Sequence, residues 1–266
     1  QNNQDLGTYS SMVLDSNDYP VISYFNETDN DLMFVHCGNI YCSSRTPVRL
    51  DGCFSTTDCP NGGGNGDGQV NDQPTGQYSS IRLNSSTGYP VISYRENGGD
   101  DTKLVRCADA NCTTSSAYFY IVDNGVNALD SSGIYTSLQL DSNNYPVISF
   151  GRGSFGNNLD LKFVHCDDVN CAGETGNTIT LDGQGPSATL CAEGSSGDCD
   201  SGDVGWYNKL QLASDGDPVI SYRSHAAGDL KLILCNDNNC AGFNESVVRV
   251  DGCTGCDNDG SSSSTG

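Results

Sequence analysis

Tryptophan occurs once in this chain of 266 residues, methionine twice and histidine three times. Only 12 residues are basic against 34 acidic, for a formal net charge of -22. Each scarcity excludes something. Affinity for phosphate comes from Lys and Arg, so nucleic acid and anionic lipid are excluded as partners. The acidity suits solubility, calcium or a basic partner instead. No apolar run approaches the ~20 residues that a spanning helix needs, so no membrane insertion is expected. No segment sustains a helical period. No signal peptide is visible and the chain opens on Gln1 rather than methionine, so a mature, processed form is expected.

Cysteine, by contrast, is plentiful. The 14 cysteines fall into close pairs: Cys37/Cys42, Cys53/Cys59, Cys107/Cys112, Cys166/Cys171, Cys191/Cys199, Cys235/Cys240 and Cys253/Cys256. Four of the pairs share a C-x4-C spacing. An even number in regular pairs points to disulfides and an oxidising, extracellular setting. Zinc is the rival reading, but only Cys253 and Cys256 have C-x2-C spacing, and no histidine pair accompanies them. Each C-x4-C segment follows a strand-like run and is rich in turn-forming Asn and Asp. Closing so small a loop contributes roughly 2 kcal/mol in the chain-entropy model.

The chain is organised by repetition. Tyr19-Pro20-Val21-Ile22-Ser23-Tyr24 returns at 89–94, at 145–150 with Phe150 last, and at 217–222 with Asp217 first. Each repeat has four short β-type runs. They fall at 11–15, 20–24, 32–37 and 47–50 in the first, and at 80–84, 90–94, 102–107 and 118–123 in the second. In the third they fall at 137–141, 146–150, 161–166 and 178–181, and in the fourth at 209–213, 218–222, 230–235 and 247–250. The first run alternates, with Met12/Leu14, Ile81/Leu83, Leu138/Leu140 and Leu210/Leu212 on one face, the mark of a half-buried strand. The second is β-branched and aromatic and opens on Pro, where no ladder hydrogen bond is lost. The third is apolar on both faces, as in a strand covered from both sides.

One sheet cannot bury its own faces, so four such sheets must lean on one another. The expected fold is all-β: a disulfide-rich, four-bladed β-propeller of four antiparallel four-stranded blades in a single domain. The repeats span approximately 9–52, 78–125, 135–183 and 207–252. Cys-bearing inserts occupy 53–77 and 184–206, and a tail occupies 253–266. The insert lengths alternate long and short, so the repeats also pair, first with third and second with fourth. All four copies run in the same phase and no blade mixes strands from the two ends. Either the four blades close by packing alone, or another molecule continues the ring.

The repeat S-x-x-L-D-x-x-x-x-P-V-I-S-Y followed by D-L-K-x-x-x-C resembles repeats of secreted bacterial proteins of propeller type. The matching residues are Ser137, Leu140, Asp141, residues 146–149, Asp160, Leu161 and Lys162, with their counterparts in the other copies. The resemblance covers nearly the whole chain outside the inserts. It implies the fold and secretion, and carries no known active site. The C-x4-C pairs and the Cys-bearing inserts depart from the commoner form. The S-x-D-x-G-x-x-W box of sialidase-like propellers is missing, since Trp206 is the one tryptophan.

Residues that would carry chemistry are few. Asn65, Asp67, Asn71 and Asp72 echo part of a calcium loop, with oxygen ligands at alternate positions around a glycine turn. Gly63 and Pro74 stand where its first and last ligands belong, so calcium is a candidate and no other cofactor is expected. His36 and His165 occupy equivalent places before the strand-end cysteine, where Arg106 and Leu234 stand in the other copies, and read as packing residues. Asp100/Asp101 and Asp167/Asp168 are sequence neighbours in turns, not acids set across a cleft. Asn26, Asn84, Asn111 and Asn244 sit in N-x-S/T acceptor sequences, with Asn111 inside a tight disulfide loop. The functional expectation is a non-enzymatic extracellular structural protein, one subunit of a homo-oligomer or fibre-like polymer. The alternative is a lectin-like propeller that binds glycan or protein.

Overall fold

A computed structural model describes residues 4–52, 73–113, 117–125, 130–154, 158–171, 178–183, 203–241 and 245–252. These residues form sixteen strands and no helix. The first sheet holds β1 (Leu6–Leu14), β2 (Pro20–Asn26), β3 (Asp31–His36) and β4 (Val48–Asp51). The second holds β5 (Thr75–Leu83), β6 (Pro90–Glu96), β7 (Asp101–Cys107) and β8 (Ala117–Asp123). The third holds β9 (Ser131–Leu140), β10 (Pro146–Gly153), β11 (Asp160–His165) and β12 (Ile179–Asp182). The fourth holds β13 (Trp206–Leu212), β14 (Pro218–Arg223), β15 (Leu230–Leu234) and β16 (Ser246–Asp251). Each sheet is an antiparallel meander in chain order, so the expected four blades of four strands are present.

The sheets stack through their first strands, β1 on β5, β5 on β9 and β9 on β13. Three apolar clusters fill the three junctions. Val21, Leu32, Phe34 and Leu50 meet Ile81, Ile92 and Val105 in the first. Val91, Leu104 and Val122 meet Leu138, Ile148 and Phe150 in the second. Leu161, Phe163 and Leu181 meet Leu210, Ile220 and Ile233 in the third. The two-sided third run follows from this, because a middle strand is pressed from both sides. Among the described residues no comparable packing joins the fourth sheet to the first. Among the described residues the array is therefore open between the fourth sheet and the first.

The first strand of each blade starts earlier than alternation indicates, at Leu6 rather than near residue 11. The cause is a register break with its partner strand, between Thr8 and Ser11 in β1 and between Gln77 and Ser80 in β5. An extra residue flips the alternating phase, so the period-two signal stops at the break although the strand continues. A tyrosine with left-handed backbone stands at each break: Tyr9 (φ 52°), Tyr78 (55°), Tyr135 (58°) and Tyr207 (54°).

Candidate functional site: three blade junctions, an axial tyrosine arc and two uncovered sheets

The first strands converge on one axis, and the register breaks aim the four tyrosines along it. Their rings touch in series, Tyr9 to Tyr78 at 4.4 Å, Tyr78 to Tyr135 at 4.8 Å and Tyr135 to Tyr207 at 4.6 Å between centroids. A non-glycine residue with positive φ costs of order 1–3 kcal/mol, and aromatic contact plus burial offsets it. Burial first, and then the neighbouring tyrosines, push the Tyr78 and Tyr135 hydroxyls far above their ordinary 10.0. An open cavity of about 260 Å³ lies beside the arc, bounded by the four rings, Thr136 and Lys209. Burial and the nearby Arg82 lower the Lys209 amine. Trp206 is buried at the same end, donating from Nε1 to Asp203 Oδ1 at 2.9 Å and stacking on His225.

The junctions carry a repeated polar code. Ser23 and Ser79 share a hydrogen bond across the first (2.9 Å), Ser93 and Thr136 across the second (2.9 Å), and Ser149 Oγ donates to Asn208 Oδ1 across the third (2.6 Å). Two junctions bury a further group. Tyr94 donates to Asp51 Oδ2 at 2.6 Å and Lys103 Nζ stands 3.6 Å from the same oxygen. Tyr222 and Lys231 repeat this on Asp182 at 2.6 and 3.7 Å. The middle junction differs, with Asp123 held by Arg152, Ser132 and Thr178. The pairing of repeats that the sequence displays is thus a pairing of junction types.

His36 and His165 belong to this code. Nδ1 of His36 faces the Ala110 carbonyl at 3.0 Å and Nε2 faces Asp15 Oδ2 at 3.0 Å; His165 meets the Asn238 carbonyl and Asp141 in the same way. Each histidine therefore ties a blade to the disulfide turn of the next. Burial raises Asp15, but the Tyr19 amide, His36 and the Asn17 amide outweigh it and hold the carboxyl below 3.8.

Four expected disulfides are closed, Cys37–Cys42, Cys107–Cys112, Cys166–Cys171 and Cys235–Cys240. Cys53, Cys59, Cys191, Cys199, Cys253 and Cys256 lie outside the described residues, as do the calcium candidates Asn65, Asp67, Asn71 and Asp72. Of the sugar-acceptor candidates, Asn26 is buried, and its Nδ2 donates to Asp29 Oδ2 at 2.8 Å. The Asn84 carbonyl oxygen caps the amides of Ser86 and Thr87. Asn111 is exposed, and Asn244 lies outside the described residues. The neighbouring acids serve turns and junctions. Asp100 accepts from Arg95 and Ser131, Asp101 from the Gly125 amide, and Asp168 from the Asn170 amide. Among the described residues no group of three His, Cys, Asp or Glu is placed to hold a metal ion.

The sequence reading missed the axial tyrosines. A Gly-x-Tyr tripeptide repeats at Gly7/Tyr9, Gly76/Tyr78, Gly133/Tyr135 and Gly205/Tyr207, and was the available signal.

The two end sheets present apolar faces that no described residue covers. Met12 is 59% exposed, where its counterparts Ile81 and Leu138 are at 0%. On the fourth sheet Leu230 is 44% exposed, where Leu32 and Leu161 are at 0%, and Val250 is 55% exposed, where Leu50 is at 2%. Leu6, Leu14, Leu234 and Val248 extend the same two faces.

No protein-family model and no curated protein matches the chain. Solved structures do. A protein of unknown function from Dyadobacter fermentans superposes with a TM-score of 0.53 at 10% identity, over 92% of this chain and 65% of its own length. A Hadza microbial sialidase superposes with a TM-score of 0.53 at 9% identity, over 89% of this chain and 45% of its own. An exo-β-1,3-galactanase from Phanerochaete chrysosporium gives 0.49 at 8% identity, over 87% and 47%. The chain spans less than two thirds of each of these proteins. At such identities the first two establish a shared propeller-type fold and nothing about activity.

Proposed function

We propose that this chain is a non-enzymatic, extracellular structural subunit that assembles with copies of itself into a fibre-like polymer. One observation carries the reading. Side chains that are dry at every internal junction stand in water at both ends of the array, on faces of the same composition. Contiguous exposed apolar faces of this kind mark an interaction surface. The closed disulfides fit an oxidising setting outside the cell. The charge of -22 keeps the long assembly soluble. The acids and histidines brought together by the fold are engaged in turns and junctions, which supports a structural role over a hydrolytic one.

Sedimentation at neutral pH tests this: the protein runs far above 28.1 kDa, and a single 28.1 kDa species removes the proposal. The second reading is a glycan-binding propeller, favoured by the exposed rings of Tyr9 and Tyr207 flanking the axial cavity beside Lys209. It predicts a small particle that binds on a glycan array and loses binding in Tyr207→Ala.

A further inference from the structure

We propose that successive copies join head to tail in the register of the internal junctions, the fourth sheet of one copy receiving the first sheet of the next. The propeller then runs on from chain to chain. This rests on the self-assembly reading and adds its polarity and its residue pairs.

Each internal junction is made by one donor set and one acceptor set. The donor set opens the first strand of the incoming blade. The amides of Thr75, Ser132 and Val204 donate to the carbonyls of Asn30, Asp100 and Leu159 at 2.9, 2.7 and 2.8 Å. A glycine follows each of these amides. It lies so close to the preceding blade that a Cβ on Gly76 would fall 2.6 Å from Leu32 Cα, and one on Gly205 would fall 3.0 Å from Leu161 Cα. Three residues further on come Ser79, Thr136 and Asn208, which meet Ser23, Ser93 and Ser149.

The first sheet carries this donor set, and among the described residues nothing stands on it. Leu6 is exposed, Gly7 has the same left-handed φ (98°) with no atom within 4 Å of its Cβ position, and Ser10 is exposed. The fourth sheet carries the acceptor set. Gly228 stands at the position of Asn30, Leu230 at that of Leu32, and Ser221 at that of Ser23. A cavity of about 350 Å³ opens between Arg223, Gly228, Asp229, Leu230, Asp251 and Gly252. It is the place that the Gly76 segment fills in the first junction.

One side-chain pair is set up in advance. Asp51 and Asp182 each take the amide of the following glycine on Oδ1 and a tyrosine hydroxyl on Oδ2. Asp251 Oδ1 takes the Gly252 amide at 2.9 Å in the same way. The equivalent tyrosine of an incoming first sheet is Tyr24, whose hydroxyl burial already pushes up. Two positions depart from the code. Met33 stands where Lys103 and Lys231 approach their aspartates. Lys209 stands where Ser11, Ser80 and Ser137 accept from the amides of Ile81, Leu138 and Leu210. Met33 removes a charge that the first and third internal junctions bury, in keeping with Leu234 and Ile40 where His36 and Ala110 meet.

A second copy is the occupant that fits, because each vacant half-set matches the other half of this same chain. An isologous dimer, which pairs one face with its own copy, would set donor against donor or acceptor against acceptor. Different patches must meet, the heterologous contact that propagates when the rotation between copies does not close a ring.

The test uses Ser10→Cys and Ser221→Cys in the full chain, mixed and mildly oxidised, with Ser23→Cys/Ser79→Cys in one chain as the geometric control. The expected result is a covalent dimer in the mixture, none from either variant alone, and a ladder of multimers from the double variant Ser10→Cys/Ser221→Cys. Assembly without cross-linking, while the control closes, overturns the register and leaves the self-assembly reading standing. A lone monomer by sedimentation overturns both. A disulfide inside one chain of the double variant means that four blades close on themselves, and also overturns the proposal. Leu230→Arg supplies an independent readout: loss of assembly with an unchanged melting temperature of the dissociated chain is expected, and retained assembly contradicts the proposal.

Discussion

Gly76→Ala and Gly7→Ala make the same chemical change at equivalent places, once inside the array and once at its end. Both residues have left-handed backbones, φ 110° and 98°. Alanine there costs about 1–3 kcal/mol in backbone strain at either site. At Gly76 the new Cβ also meets Leu32 Cα at 2.6 Å, a backbone atom that no rotamer change can move. Overpacking of that kind adds about 1–3 kcal/mol. Gly76→Ala is therefore expected to lower stability in urea by about 2–6 kcal/mol, the sum of the two effects. Gly7→Ala, whose Cβ meets nothing within 4 Å, loses only the strain contribution in the dissociated chain. In the assembly that Cβ is driven into Leu230 of the neighbouring copy, so Gly7→Ala assembles poorly although it folds. The assay is urea unfolding at sub-assembly concentration, paired with sedimentation at working concentration. If Gly7→Ala destabilises the dissociated chain as much as Gly76→Ala does, the chain itself covers Gly7 and the open array is wrong.

Three further outcomes follow from particular contacts. Asp51→Ala removes the carboxylate facing buried Lys103 and Tyr94 and is expected to cost ~3–5 kcal/mol, against about 1.5–3 kcal/mol for Tyr94→Phe; equal losses in urea would show that Lys103 does not depend on Asp51. Folded Tyr78 and Tyr135 keep their protons above pH 10.0, where unfolded tyrosines ionise. Their contribution is complete below that pH and falls as pH rises past it, so the urea midpoint drops between pH 9 and 11 while phenolate absorbance lags; ionisation of every tyrosine near 10.0 in the folded protein speaks against the packing of Tyr78 and Tyr135. Reducing one C-x4-C clamp by Cys107→Ser/Cys112→Ser is expected to cost roughly 2 kcal/mol and to loosen the turn that His36 grips through Ala110, read as faster amide exchange at Ala110.

The blade itself was legible in the sequence because its signals are local. Pro20 opens β2, Leu104 and Val105 show a strand covered on both faces, and the C-x4-C turns mark the third strand's end. What escaped was whatever joins residues far apart. His36 varies with Arg106 and Leu234 among the copies, which says that the position is adjustable but not that it reaches Ala110. The start of β1 escaped because the break at Tyr9 resets the alternation. The sequence left closed and open arrays as alternatives for another reason: Met12 and Ile81 are equally apolar, and only the position of the next sheet makes one wet and the other dry.

The most direct test of the central claim is electron microscopy of native particles at neutral pH. The account predicts fibres in which blades follow one another at even spacing, with the fourth sheet of each chain seated on the first sheet of the next. Uniform single particles of 28.1 kDa, with β1 packed against the fourth sheet of its own chain, would contradict it.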